Sequence, residues 1–332
     1  MAFDAVATSA APRRASASAG RIVFARYNAQ SDSAEVFVSS PNGAHVHQVP
    51  LALPLEGGGG AVWSPGGRKL LLSNMLPTGR WSKVGFRPAI VNPDGSRFRL
   101  LPMQGAPFDM SCGAWSPNGK RLLCNFGGKA HGVFSVRASD GGDRVRLSRN
   151  PFGPKGSDYP GDYSPDGSKV VFVRVRPGAE PNPGDMKNDA AVFVAKADGS
   201  GRPRRITPYG AVNAHDFAAV AHWSPDGRHI IFGSATTSNS GVIVIVRRDG
   251  TGRRTINPGA FPEAVNWSPD GKRIVFARGR GYAGTELPPS SGLVVIEANR
   301  RHPRRVPNTI GATLRRRAPQ PPLQALPLME SS

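Results

Sequence analysis

Trp223-Ser224-Pro225-Asp226-Gly227, running on into Arg228-His229-Ile230-Ile231-Phe232, is one of five copies of a single phrase in this chain. The others begin at Trp63-Ser64-Pro65-Gly66-Gly67, Trp115-Ser116-Pro117-Asn118-Gly119, Tyr163-Ser164-Pro165-Asp166-Gly167 and Trp267-Ser268-Pro269-Asp270-Gly271. Each copy is an aromatic residue, a tight polar turn and a short apolar run. Proline sets φ at the turn, and glycine supplies the positive φ that completes it. Recurrence at intervals of 40 to 60 residues marks a radial or stacked repeat fold.

Outward from the turn, each unit reads as four short strands. The first ends at the aromatic. The second is the apolar run: Leu70–Leu72, Leu122–Cys124, Val170–Val173, Ile230–Phe232 and Ile274–Phe276. These runs are apolar on both faces, as a strand sandwiched between neighbouring sheets requires. A variable loop leads to the third strand, at Ala89–Val91, Val133–Val136, Ala191–Ala195, Val242–Val246 and Leu293–Glu297. A turn such as Asp94-Gly95, Asp198-Gly199 or Asp249-Gly250 then introduces an arginine-bearing fourth strand. Four strands per unit of this length make a β-propeller blade.

Residues 21–49 supply strands two to four of one more unit, and Leu314–Pro322 falls where its first strand belongs. The expected fold is all-β: a six-bladed β-propeller of four-stranded antiparallel blades spanning residues 20–322. The C-terminal strand is expected to close the ring by pairing into the first blade. Residues 1–19 read as a flexible leader and 323–332 as a flexible tail.

The Trp-Ser-Pro-Asp-Gly turn followed by Lys/Arg-Ile-Val-Phe resembles the repeat of TolB-type propellers, also called WD40-like repeats. The resemblance covers about residues 20–322 and implies six blades around one central channel. Similar propellers precede the catalytic domain of prolyl-oligopeptidase-like peptidases. No Gly-x-Ser-x-Gly nucleophile elbow occurs in this sequence.

Composition bounds the function classes. The 40 Gly and 32 Pro of the 332 residues concentrate at the repeating turns, so they punctuate strands and do not signal disorder. No stretch approaches the roughly 18 apolar residues of a membrane-spanning helix. Residues 1–19 lack the apolar run of a signal peptide, so cytoplasmic residence is expected as written. An upstream start would make the protein periplasmic or secreted. The net charge of +20 invites anionic partners. The arginines fall at Arg97–Arg99, Arg144–Arg146, Arg202–Arg205, Arg253–Arg254 and Arg301–Arg305, on the last strand of each unit. Charge on an edge strand blocks further pairing, which favours edge protection over a nucleic-acid surface.

Several constellations could carry chemistry. The repeated Ser and Asp of the turns resemble a catalytic set but suit turn hydrogen bonding better. An acidic residue precedes each aromatic by four to seven positions: Glu56, Asp109, Asp158, Asp216 and Glu263, with Asp162 beside them. A ring of these at one channel mouth would bind a divalent cation, calcium by ligand chemistry, or a basic peptide. The plainer alternative is loop carboxylates capping turns or paired with arginine. His215 and His222 are the two histidines near the mouth. Propellers of the oligogalacturonate lyase type hold a metal with channel histidines, but two are fewer than a transition metal needs. Cys112 and Cys124 flank the third turn symmetrically, which leaves open a cross-strand disulfide or two buried thiols. Inserted loops at Thr78–Arg87, Pro177–Lys187 and Gly279–Ser291 offer binding surface. Arg80, Trp81, Phe86 and Arg87 in the first of them form the aromatic-plus-arginine group common in binding hot spots.

The leading expectation is a non-catalytic, monomeric interaction scaffold that binds a protein partner at a channel mouth and on its loops. It requires no cofactor. The alternative is a hydrolase or lyase acting on an acidic sugar or ester with a channel-bound cation. Electrostatic nucleic-acid binding is the third.

Overall fold

The repeated phrase folds as a set of self-satisfied hairpins. In the computed structural model, Ser164 N donates to Lys169 O and Gly167 N to Ser164 O, both at 2.8 Å. The Ser164 hydroxyl accepts from Lys169 N at 2.9 Å and donates to Asp166 Oδ1 at 2.6 Å. Asp166 Oδ1 in turn accepts from Ser168 N at 3.0 Å. The same bonds form around Ser116, Ser224 and Ser268. Gly66 replaces the carboxylate after Ser64, and that turn keeps only the serine bonds.

The structure describes residues 20–305 apart from 29, 32, 57–59, 77–84, 103–109, 127–131, 152–155, 177–189, 213–219, 236–240, 260, 280–291 and 300–302. Its strands form six antiparallel blades. Blade one holds β1 (Ile22–Asn28), β2 (Ser33–Ser39) and β3 (His47–Gln48). Blade two holds β4 (Leu55–Glu56), β5 (Ala61–Trp63), β6 (Leu70–Met75), β7 (Arg87–Val91) and β8 (Arg99–Leu100). Blade three is β9 (Met110–Trp115), β10 (Arg121–Phe126), β11 (Gly132–Arg137) and β12 (Val145–Arg146). Blade four is β13 (Ser157–Tyr163), β14 (Lys169–Val175), β15 (Ala190–Lys196) and β16 (Arg204–Arg205). Blade five is β17 (His222–Trp223), β18 (His229–Ala235), β19 (Gly241–Arg247) and β20 (Arg254–Ile256). Blade six is β21 (Phe261–Trp267), β22 (Arg273–Gly279), β23 (Leu293–Glu297) and β24 (Pro303–Arg305). Within blades three to six, sequence neighbours pair in order from the inner to the outer strand. Blades one and two are joined through β4, which pairs with both β2 and β6. Among the described residues no helix is long and apolar enough to cross a membrane.

Six apolar clusters of buried residues lie one at each blade boundary. The second strands explain why: Val170 and Phe172 pack toward blade three, while Val171 and Val173 pack toward blade five. Each repeated aromatic inserts against the preceding blade, as Trp115 does beside Leu71 and Ile90 of blade two. The circuit closes where Ile22 and Phe24 of blade one meet Ala264, Val275, Ala277 and Leu293 of blade six. The turns stack in the same sense. Gly119 faces Pro65, Gly167 faces Pro117, Gly227 faces Pro165, Gly271 faces Pro225, and Gly20 faces Pro269. Leu314–Pro322, expected as the closing strand, lies outside the described residues.

The arginines of the outer strands do more than guard an edge. Arg99 donates to Ser139 O of blade three, and Arg204 to Arg248 O and Asp249 O of blade five at 3.1 and 3.3 Å. Arg254 reaches Ala298 O of blade six at 3.0 Å. Each links its blade to the next.

Candidate functional site

The inner strands carry β-bulges, and one of them builds the most suggestive pair of side chains between two blades. In β13, Pro160 pairs with Phe172 and Asp162 with Val171, which leaves Gly161 unpaired between them. A bulge re-aims the residue that follows it. Gly161 also allows a close backbone approach, since a Cβ there would lie 2.2 Å from Ala221 O. That approach sets His222, the next residue of β17, beside Asp162, with Nδ1 3.8 Å from Oδ2. The gap is too long for a direct hydrogen bond and short enough for Coulombic attraction to a protonated ring. Both side chains are largely buried, at 12% and 22% exposure.

Asp158 has a different fate. It opens β13 opposite Arg174 of β14, and its carboxylate has no exposed area. Arg174 Nε and Nη2 each donate to it at 2.7 Å in a fork. Ser148 Oγ adds a bond at 2.6 Å, and Asn150 Nδ2 lies at 3.3 Å. Arg174 Nη2 also donates to Arg149 O at 3.0 Å. The group clamps blade four to the segment that follows β12 of blade three, and this carboxylate is committed to an ion pair.

Glu56 lies on β4 and Glu263 on β21; these placements are of the backbone alone. Asp109, His215, Asp216, Arg80 and Trp81 lie outside the described residues. Phe86 and Arg87 are half-buried at the start of β7, where Arg87 Nη1 donates to Phe86 O at 3.0 Å. The structure thus brings together Asp162 and His222, and draws Asp158 away from them into the blade. Among the described residues no three metal-ligating side chains converge.

The turn aspartates are held below the usual carboxylate range. For Asp166 the main cause is the Ser164 hydroxyl, followed by the Ser168 N–H. At Asp226 and Asp270 burial is the largest influence and acts upward. The Ser224 and Ser268 hydroxyls and the N–H groups of Arg228 and Lys272 outweigh it. These carboxylates are structural acceptors.

The sequence symmetry of the cysteines is realised as a bond. Cys112 and Cys124 are Cα partners across β9 and β10 and form a disulfide, buried at the boundary of blades two and three. Of the alternatives open to the acidic residues, Asp158 takes the pairing with arginine; the sequence does not name the partner itself, which is two residues past Phe172 in an apolar strand. The Phe172-Val173-Arg174 spacing was the available signal, since it puts the arginine on the same face as the phenylalanine.

No known family profile matches the sequence, and none of the curated proteins does. The fold itself is shared widely. TolB from Acinetobacter baumannii superposes with a TM-score of 0.59 at 16% identity, over 86% of this chain and 62% of that one. A putative TolB from Agrobacterium tumefaciens gives 0.52 at 20% identity, over 71% of this chain and 83% of that one. The tricorn protease gives 0.55 at 16% identity, over 91% of this chain and 26% of that one. The chain therefore spans about three fifths of the Acinetobacter protein and a quarter of the protease. The six-bladed propeller anticipated from the repeats is the fold observed, and it is similar to that of the TolB structures.

Proposed function

We propose that this propeller is a non-catalytic scaffold that binds protein partners at one channel mouth and on its inserted loops. The observation that carries the reading is the use made of its reactive side chains. The turn serines and aspartates bond to one another and to local backbone, and Asp158 is locked to Arg174. A stable ring with inserted loops in its sequence is the arrangement on which recognition surfaces commonly sit, and that supports the reading. The test is capture from nuclease-treated host lysate at physiological salt, comparing the natural protein with Trp81→Ala/Phe86→Ala. A discrete protein set retained by the first and lost by the second is expected. The same set on both, or on bare beads, would overturn the loop assignment.

The Asp162–His222 pair favours a second reading, a hydrolase or lyase on an acidic sugar or ester. In it, channel carboxylates would hold a divalent cation, calcium by ligand chemistry. Stoichiometric metal in the purified protein, with turnover abolished in Asp216→Ala and His222→Ala, would replace the scaffold reading.

A further inference from the structure

Blade four carries a ladder of arginines and aromatics where it meets the segment that follows β12 of blade three. Phe172 and Phe193 stack at 5.5 Å between centroids, and Tyr209 continues the row at 6.2 Å. Arg174 lies over both phenylalanines. Tyr209 is contacted by two guanidinium groups, Arg176 at 3.6 Å and Arg205 at 5.3 Å from its centroid. Arg149, whose carbonyl accepts from Arg174, joins the same corner from blade three. Arg149 and Arg205 are exposed, and Arg176 and Tyr209 are half-buried.

Charge is unbalanced here. The corner's described acid, Asp158, is fully taken up by Arg174. Among the described residues no carboxylate lies within ion-pair distance of Arg149, Arg176 or Arg205. The Arg176 guanidinium, held 3.6 Å from the Tyr209 centroid, is already partly ordered by that contact. Less side-chain entropy is then lost when an anion binds. A planar fork of this kind matches a carboxylate with two parallel hydrogen bonds. Arg174, two residues before Arg176, already holds Asp158 in that way.

We propose that this corner binds an acidic segment of a protein partner, with Arg176 and Arg205 gripping its carboxylates and Arg149 adding attraction. Single-stranded nucleic acid fits less well, because it needs open aromatic faces for stacking. Guanidinium groups already lie against the Tyr209 ring. The assignment rests on the scaffold reading for the partner being a protein, but it concerns residues other than those tested there.

The test is fluorescence anisotropy with a short labelled Glu-rich peptide and, separately, a single-stranded oligonucleotide of equal charge. The variants are Arg176→Ala/Arg205→Ala and a control of equal net charge, Arg202→Ala/Arg253→Ala, with thermal melts confirming that both fold. Peptide binding should weaken about tenfold in the first and less than about twofold in the control, the size expected for loss of paired charge contacts. Equal loss in both variants would reduce the effect to bulk charge and overturn the proposal. So would tighter binding of the oligonucleotide than of the peptide at matched salt. Lysate capture through the Trp81 loop could still succeed in either case, so the two readings fail separately.

Discussion

The Tyr163 hydroxyl donates a 2.7 Å hydrogen bond to Ser135 Oγ across the boundary between blades four and three. In three other units the repeated aromatic is a tryptophan, and the residue in the register of Ser135 is Ile90, Val194 or Ile245. Tyrosine and serine here act as a matched pair, since a buried hydroxyl needs a partner that an isoleucine cannot give. Burial pushes the Tyr163 phenol up to about 12, so it remains a donor through neutral pH. Tyr163→Phe should cost about 1–2 kcal/mol in urea unfolding. Tyr163→Trp combined with Ser135→Ile should be less destabilised than the sum of its single substitutions. A strictly additive pair would show that the hydrogen bond has no energetic weight.

The repeat was legible because its information is local. Ser, Pro, Asp and Gly at fixed offsets dictate one turn, and the apolar run after it has to be buried on both faces. The circuit of clusters from Val23 round to Phe24 follows from that repetition. Side chains that depend on contacts between blades were not legible in the same way. Asp158 read either as a mouth carboxylate or as one paired with an arginine, and the partner could not be named because Arg174 is 16 residues away in sequence. The Asp162–His222 proximity depends on a bulge at Gly161, and no periodic pattern predicts a bulge.

Acid should weaken the ring through its turns. Asp166, Asp226 and Asp270 titrate lower in the folded state than their ordinary value of 3.8. Folding therefore favours their ionised form. Their stabilising contribution is complete above about pH 4 and drains away as pH falls through the depressed folded values. Blade three already uses Asn118 at this position, with Oδ1 accepting from Ser116 Oγ at 2.8 Å and Lys120 N at 3.0 Å. The triple variant Asp166→Asn/Asp226→Asn/Asp270→Asn should keep the turn geometry. Its melting temperature should be lower at pH 7 and flatter between about pH 4 and 2. An unchanged acid slope would place the pH dependence elsewhere.

The Cys112–Cys124 bond makes a chemical prediction. Both side chains are buried, at 1% and 0% exposure, so the pair is shielded in the native ring. Alkylation of the unfolded protein without reductant should add no label, and after reduction it should add one label per cysteine. Closing a loop over a separation of 12 residues should contribute about 2–3 kcal/mol, lost in Cys112→Ser/Cys124→Ser. Labelling in denaturant alone would mean that the thiols are free.

Arg174 and Asp158 offer the sharpest test of how blades three and four are held together. The pair is buried, with side-chain exposures of 8% and 0%, and its hydrogen bonds extend to Ser148 and Arg149 of the neighbouring blade. Burying two charges incurs a desolvation cost that mutual attraction offsets only with good geometry, which the two 2.7 Å bonds supply. Removing one partner leaves the other charge stranded. Arg174→Met should therefore cost about 3–5 kcal/mol. Its loss should also expose the blade boundary, read as faster amide exchange at Val133, whose N–H donates to Ser148 Oγ at 2.8 Å. Arg174→Met combined with Asp158→Leu removes both charges and should recover much of the stability. If the double variant is as unstable as the sum of the singles, the ion pair does not couple the blades, and packing of Phe172 and Phe193 against Leu123 and Val133 of blade three carries that boundary instead.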